Sequence, residues 1–162
     1  MPPRLLLFLL RLGFPVTCSS VLRIARFESR NLGHPFIGTE HVLCALVRLP
    51  DSRLRELFAQ RGIGIDAVRS GVTDVDGLGP HHYVPKALTP RLKKILAIAE
   101  SEAARAKHLS VPQSLLLGIV IEGGGVATRV LKSLGFDLTR LRERLLALPT
   151  ISDSPDGGPD TG

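Results

Sequence analysis

The fold is decided by the stretch NLGHPFIGTEHVLCALV, residues 31–47, in which Gly-Thr-Glu-His opens an apolar run. The run predicts a helix over Thr39–Arg48, with Thr39 as its N-cap because threonine oxygens accept hydrogen bonds from the first-turn amides. Glu40 then lies in the first turn, where the helix dipole favours a carboxylate. We expect His41 to pack inward and form hydrogen bonds, since nothing near it in sequence completes a metal site or an acid/base pair.

Three more helices are predicted around this one in the first half of the chain. One precedes it, another begins after Pro50-Asp51-Ser52 and ends at Gly62, and a short one covers 63–72. The segment 75–88 is rich in glycine and proline, so we expect a linker there. The apolar residues at helical spacing in the first and third helices are Val21, Leu22, Ala25, Leu32, Leu54, Leu57 and Phe58.

The second half of the chain shows the same order of elements. Thr89-Pro90 is a strong start for a long helix, because proline is favoured at the first helical position after a cap. An apolar helix over 115–121 and a medium helix ending at Gly135 follow. Asp137 can cap a last helix, whose apolar stripe consists of Leu138, Leu141, Leu145 and Leu148.

The two halves therefore indicate an internal repeat. His34 recurs as His108 after 74 residues and Gly62 recurs as Gly135 after 73, so the second copy lacks one residue. We predict an all-α fold of two tandem four-helix repeats, packed with pseudo-twofold symmetry as eight helices. The expected core includes Leu22, Leu43, Leu46, Phe58, Ile95, Leu116, Val130, Leu131 and Leu141. The predicted boundaries are an apolar leader at 1–13, repeat one at 14–74, the linker at 75–88, repeat two at 89–148 and a disordered acidic tail at 149–162.

The charge of the chain permits several partners but selects none. The formal net charge is +6, from 21 basic and 15 acidic residues. Without the three tail aspartates the body carries 21 minus 12, or +9. The arginines are spread through helical segments with few aromatic residues between them, and no nucleic-acid-binding motif is present. We therefore predict no nucleic-acid partner and a solvated basic surface.

The leader does not predict a membrane span. Its apolar run of residues 5–10 is interrupted by Arg11, which makes it too short for a signal segment or a bilayer-crossing helix. The two cysteines, Cys18 and Cys44, do not form a disulfide framework. We expect a cytoplasmic protein whose leader is either a docking arm or an upstream extension of the start site, with a weak membrane signal as the third and less favoured alternative.

Three segments carry a resemblance to a known family: the opening stretch 31–47, LTPRLKK at 88–94 and EGGGVATRVLKSLGFDLTRLRERLL at 122–146. They resemble, in order and spacing, the Clp N-terminal repeat domain of ClpA- and ClpC-type Hsp100 unfoldases, over residues 14–148. The resemblance implies a docking platform that receives protein clients and adaptors. The phosphate-binding motif G-x-x-x-x-G-K-[ST] of the ATPase modules does not occur. We therefore expect a free-standing, non-enzymatic binding module without cofactors, with a Clp unfoldase or peptidase core as partner.

The resemblance also implies a candidate ligand site for phosphorylated arginine at Glu40, with Thr39 and Thr89 as further candidates. A carboxylate that is exposed near a helix N-terminus suits a guanidinium, and nearby amides suit a phosphate. Two departures from the family pattern count against both copies of the site. Pro15 stands where the first helix usually has threonine, and VPQS at 111–114 leaves Ser114 in place of the second glutamate. Thr89 is retained in the second copy, so each site lacks a different partner.

The resemblance implies a second surface, an apolar groove for peptides or adaptors near the start of repeat two. The residues expected there are Phe14, Leu88, Lys93 and Leu96. The opposing interpretation is that this helix is simply core and solvated surface, and the pattern supports both equally. We predict no catalytic residues and no metal site. An alternative function is a decoy that sequesters Clp-directed peptides or phosphoarginine-tagged clients.

Overall fold

The computed structural model describes residues 2–147, apart from the side chain of Ser52, and these residues form helices with one isolated β-bridge between Ile37 and Leu88. The predicted disordered tail and Leu148 lie outside the described residues. The all-α class is confirmed. In chain order the nine helices of the described residues are α1 (Pro3–Arg11), α2 (Cys18–Asn31), α3 (Thr39–Arg48), α4 (Ser52–Ala59), α5 (Ile65–Asp76), α6 (Pro90–Arg105), α7 (Val111–Glu122), α8 (Gly125–Ser133) and α9 (Leu138–Leu146).

The two halves of the chain pack in equivalent ways. In the first half α3 packs against α2 and α5, and in the second half α7 packs against α6 and α9. The halves meet mainly where α8 contacts α3 and α5. The central helices α3 and α7 are buried almost all round, as expected for helices enclosed by neighbours on every side. This packing agrees with a repeated four-helix unit.

Helix α1 is an addition to the eight predicted helices. Leucines at positions 6, 7 and 10 form one face, and that face is buried against the rest of the core. Proline at the first helical position fits the start of the helix, because its missing amide would have no partner there. The six-residue apolar run is therefore a short packed helix in the structure.

The predicted core is buried with one exception, Leu22, which is only partly buried. Helix α2 begins at Cys18, where Thr17 and Ser20 form a capping box, and it turns Val21 and Ile24 inward. Leu22 lies about 100° around the helix from Val21 and so faces the edge of the core. The predicted residues that are fully enclosed are Leu43, Leu46, Phe58, Ile95, Leu116, Val130, Leu131 and Leu141.

Most helix ends follow the predicted caps. Thr89 Oγ1 accepts from the Leu92 amide at 3.2 Å and Asp137 Oδ1 accepts from the Arg140 amide at 2.9 Å, so both caps are confirmed. Thr39 is not a cap: Gly38 holds that position, and Thr39 is the first helical residue. The predicted helix over 63–72 begins instead at Ile65 and continues to Asp76, inside the segment predicted as the linker.

Asp51 is an N-cap that also connects the two repeats. Its Oδ1 accepts from the amides of Arg53 at 3.1 Å and Leu54 at 3.0 Å, while Oδ2 accepts from the Ser110 hydroxyl at 2.7 Å. We expect Asp51→Ala to lower the free energy of unfolding by about 2 kcal/mol, because it removes both the cap and the connection to α7. Urea denaturation measures this loss.

The matched control is Asp137→Ala, which removes a cap that has no partner in the other repeat. We expect this change to cost only about 1 kcal/mol. An equal loss in the two variants would contradict a stabilising role for the Asp51–Ser110 contact.

Among residues 2–147, no single helix is long and apolar enough to cross a bilayer. Helices α7 and α8 reach that length and hydropathy only as a pair, and the pair is bent by 94°.

Candidate functional site

A cavity of about 310 Å³ lies where the start of α3 meets the linker. Glu40 and Thr89 both line it, together with His34 and Asp76. The sequence predicts Glu40 in the first copy of the site and Thr89 in the second, whereas in the structure residues from the two repeats line one cavity. The remaining lining residues are Pro35 and Phe36.

The cavity is formed by backbone pairing between two distant segments. The Ile37 amide donates to the Ala87 carbonyl at 2.9 Å, and the Thr89 amide donates to the Ile37 carbonyl at 2.9 Å. These bonds form the isolated parallel β-bridge and bring the cap of α6 beside the start of α3. The buried Ser29 hydroxyl donates to the Phe36 carbonyl at 2.6 Å and fixes the loop on the other side.

Glu40 differs from the exposed carboxylate that was predicted, since only 8% of it is exposed. Its side chain folds back over Gly38, where an added Cβ would lie 2.5 Å from the carboxylate oxygens. Burial raises the pKa of Glu40, and a hydrogen bond from its own backbone amide partly opposes that rise. A cation that entered the cavity would stabilise the ionised form, so the site is suited to a positively charged group.

Two histidines form a hydrogen-bonded chain behind Glu40. The Gly38 amide donates to His41 Nδ1 at 2.8 Å, so the proton of neutral His41 is on Nε2. That Nε2–H donates to His34 Nδ1 at 2.8 Å, and His34 Nε2–H donates to the Gly77 carbonyl at 2.8 Å. The prediction that His41 packs inward and is hydrogen-bonded is confirmed, and the chain connects α3 to the start of the linker.

This chain also decides what the histidines can bind. His34, Glu40 and His41 bring one potential ligand atom each within 4.8 Å of one another, whereas sequence analysis found no second histidine near His41. Every ring nitrogen is already used in the chain, so a metal ion would have to displace one of its hydrogen bonds. Burial, with a smaller contribution from His34, lowers the pKa of His41 to about 3. His41 is therefore a neutral hydrogen-bonding group in the folded protein.

Thr39 lies outside the cavity. It is buried, and its Oγ1 accepts from the Ala127 amide at 3.3 Å, at the start of α8. Its role in the structure is a contact between repeats. Of the three predicted ligand-binding residues, the structure thus brings Glu40 and Thr89 together and places Thr39 behind them.

Two of the four residues predicted for the apolar groove, Lys93 and Leu96, line one groove in the structure. They lie one turn apart on α6, and the groove has a volume of about 600 Å³. Leu88 precedes that helix and is held by its bridge to Ile37, while Phe14 is exposed in the segment before α2. Neither of these two lines the groove.

The second copy of the site has Ser114 where the first copy has Glu40, and the residues beside Ser114 form contacts that stabilise the start of α7. Gln113 and Ser110 form a capping box at the start of α7, and Gln113 also contacts Asp51. Ser114 lines the groove, and its buried hydroxyl has no hydrogen-bond partner among the described residues. Because residue 114 is a serine, this copy of the site has no carboxylate at that position to bind a guanidinium.

Asp76 and His34 line the cavity but are not predicted as site residues by the sequence. In the sequence His34 is a landmark of the repeat, where it recurs as His108, and that recurrence is the one signal that marks it. Asp76 lies in the segment that the sequence predicts as the linker, so nothing in the sequence indicates that it lies at the end of α5 beside the cavity.

The family profile and the curated relatives that match the chain identify its family. The profile of the Clp repeat (R) N-terminal domain matches residues 14–132. The chain is 33% identical over 145 residues to the chaperone protein ClpB of Oceanobacillus iheyensis, covering 89% of this chain and 18% of that protein. It is 35% identical over 136 residues to the negative regulator of genetic competence ClpC/MecB of Bacillus subtilis, covering 83% and 17%. The chain therefore spans less than a fifth of these curated relatives.

Solved structures agree in fold. The N-terminal domain of the chaperone ClpD from Arabidopsis thaliana matches with a TM-score of 0.62 and 23% identity, over 78% of this chain and 89% of that one. The N-domain of ClpV from Vibrio cholerae matches with a TM-score of 0.59 and 20% identity, over 90% of both chains.

Proposed function

The chain belongs to the Clp repeat N-terminal domain family, and on this basis we propose that it is a non-enzymatic module that binds clients or adaptors of a Clp protease system. In this proposal it acts in the cytoplasm as an accessory subunit or adaptor, and it contacts a Clp unfoldase or its peptidase core. The matched relatives are much longer proteins, and the phosphate-binding motif of an ATPase module does not occur in the sequence of this chain.

The observation that carries the proposal is the cavity shared by Glu40, Asp76 and Thr89. Among the described residues, no lysine or arginine forms an ion pair with Glu40, whose neighbour His41 is neutral. A guanidinium supplies planar paired donors that match a carboxylate, so an arginine side chain of a client protein is the ligand that fits best. Asp76 adds a second negative charge, which favours the guanidinium and opposes a phosphate.

We therefore expect arginine in a peptide to bind at least as well as phosphoarginine. The hydroxyl of Thr89 is a neutral polar group in the cavity, and it can donate a hydrogen bond to the phosphate or to a peptide carbonyl. Titration of both ligands, followed by NMR shifts of the residues around the cavity, measures this preference. A strong preference for phosphoarginine would show that Asp76 does not face the ligand.

Glu40→Gln keeps the size of the side chain and removes its charge. We expect this variant to bind the arginine peptide about tenfold to a hundredfold more weakly, because a charge-assisted hydrogen bond contributes about 1.5–3 kcal/mol. Glu56→Gln is the matched control, since Glu56 is exposed and does not line the cavity. Equal affinity in wild type and Glu40→Gln would contradict the assignment of the cavity as the ligand site.

The partner is tested separately by native affinity purification from the source cell with tagged full chain, analysed by mass spectrometry. We expect a Clp unfoldase or peptidase to dominate the eluate. Recovery of clients or peptides without any Clp component would favour the decoy function instead.

A further inference from the structure

Helix α1 and its C-cap present an apolar stripe on the side that faces away from the body. Leu5, Phe8 and Leu12 are 46%, 57% and 62% exposed. Their spacing of three and four residues places them on one face, and we refer to them as the outer stripe. A helix that is apolar on both faces normally packs against other groups on both faces. No other part of residues 2–147 packs against the outer stripe. The opposite face, which is packed on the core, consists of Leu6, Leu7 and Leu10.

The surroundings of the outer stripe are basic. The first 27 residues contain four arginines and no aspartate or glutamate. Arg4 and Arg11 are seven positions apart, so both project from the same flank of α1, next to the outer stripe. Within residues 2–147 neither of them forms an ion pair with a carboxylate, because the ion pairs there involve other residues.

A groove of about 770 Å³ beside α1 extends this basic surface. Among the described residues that line it there are three guanidinium groups, those of Arg11, Arg48 and Arg55, and no acidic side chain. Arg48 also pairs with the buried Glu28, which leaves Arg11 and Arg55 for an external anion. The floor of the groove is apolar, so it suits a group that is anionic at one end and apolar at the other.

We propose that α1 is an interfacial helix that docks the protein on anionic lipid bilayers. The outer stripe inserts between lipid headgroups, and Arg4 and Arg11 bind the lipid phosphates. A second copy of the chain is a poorer occupant, because each copy carries a net charge of +6 and the arginines surround the contact. Helix α1 precedes the residues that match the family profile, so this inference does not rest on the proposed function.

The test is co-sedimentation of the full chain with vesicles of equal parts phosphatidylglycerol and phosphatidylcholine, and with vesicles of phosphatidylcholine alone. We expect binding to the anionic vesicles only, weakened by about tenfold or more when salt is raised from about 0.1 M to about 0.5 M. The double variant Phe8→Gln/Leu12→Gln should bind the anionic vesicles at least about tenfold more weakly, because it removes two inserted side chains. Leu78→Gln is the matched control, since Leu78 is 69% exposed but lies in the linker, and it should bind like wild type.

Three results would overturn the proposal. The first is no sedimentation with anionic vesicles. The second is unchanged binding by the double variant, which would assign the interaction to the charge of the body alone. The third is a dimer, measured by light scattering without lipid, that the double variant dissociates, because the outer stripe would then be a contact between copies. Both side chains are exposed, so the thermal unfolding midpoint of the variant should equal that of wild type and show that its fold is retained.

Discussion

Replacement of Gly33 by alanine is expected to lower the free energy of unfolding by at least about 3 kcal/mol, which is a large part of the total stability of a marginally stable domain. Gly33 follows α2 and has a φ of +72°, which costs an alanine about 1 kcal/mol or more. A second cost comes from the linker. A Cβ at this position would overlap the Gly79 carbonyl oxygen and lie 2.6 Å from its carbon.

The linker cannot simply move away from this contact. The Gly79 amide donates to the Leu32 carbonyl at 2.9 Å, and the His81 amide donates to the Gly33 carbonyl at 3.0 Å. Both bonds hold the linker on the end of α2, so an alanine would have to break them or distort the backbone. Loss of this contact would also disturb Gly77, whose carbonyl accepts the last hydrogen bond of the histidine chain.

The variant Gly62→Ala separates the cost of the positive φ from the cost of the overlap with the linker. Gly62 has a similar φ of +66°, but an added Cβ would have nothing within 4 Å. We expect this control to lose only about 1 kcal/mol in urea denaturation. If Gly33→Ala lost no more than Gly62→Ala, the close approach of the linker to α2 would not contribute to stability.

The features that were predicted from the sequence are those that depend on nearby residues. The bounds of α3, Thr39–Arg48, follow from a polar start and an apolar run that ends before Pro50. The caps Thr89 and Asp137 follow from the ability of a side chain to bond an amide three residues later. The repeat was visible because the same local signals occur twice.

The cavity could not be predicted in the same way. Glu40 and Thr89 are brought together by hydrogen bonds between Ile37 and the end of the linker, about fifty residues later, and neither segment has a side-chain pattern that specifies such pairing. The burial of Glu40 depends on how its side chain folds over Gly38. Likewise, the sequence does not predict α1, because six apolar residues are too few for a signal segment or a membrane span, whereas a short helix needs only one face to pack.

Acidification from pH 7 to pH 5 is expected to lower the free energy of unfolding by about 2 kcal/mol through His41 alone. In the folded protein its pKa is about 3, while in the unfolded chain it returns to the ordinary 6.5. Between these values the unfolded chain binds a proton that the native protein does not, so stability decreases as the pH falls. The stability that depends on neutral His41 is fully present above pH 6.5 and is lost progressively as the pH falls to 3.

The physical reason lies in the histidine chain. An added proton on His41 Nδ1 would meet the Gly38 amide, which already donates to that atom at 2.8 Å. Burial would also leave the resulting charge without water. Glu40 acts in the opposite direction, because burial raises its pKa and the native protein takes up its proton more readily on acidification. Measurements in a Glu40→Gln background remove that opposing contribution.

His41→Asn is the variant that tests the assignment, since its amide oxygen can still accept from Gly38 but cannot be protonated in this range. We expect it to be less stable than wild type at pH 7 and to lose less stability between pH 7 and pH 5. Urea denaturation at both pH values, with and without Glu40→Gln, measures the two slopes. An NMR titration of wild-type His41 provides the check that does not depend on the variant folding, because its ring signals should show no titration above about pH 5. Parallel slopes in wild type and His41→Asn, or a His41 ring that titrates near pH 6.5, would contradict the assignment of a neutral buried histidine.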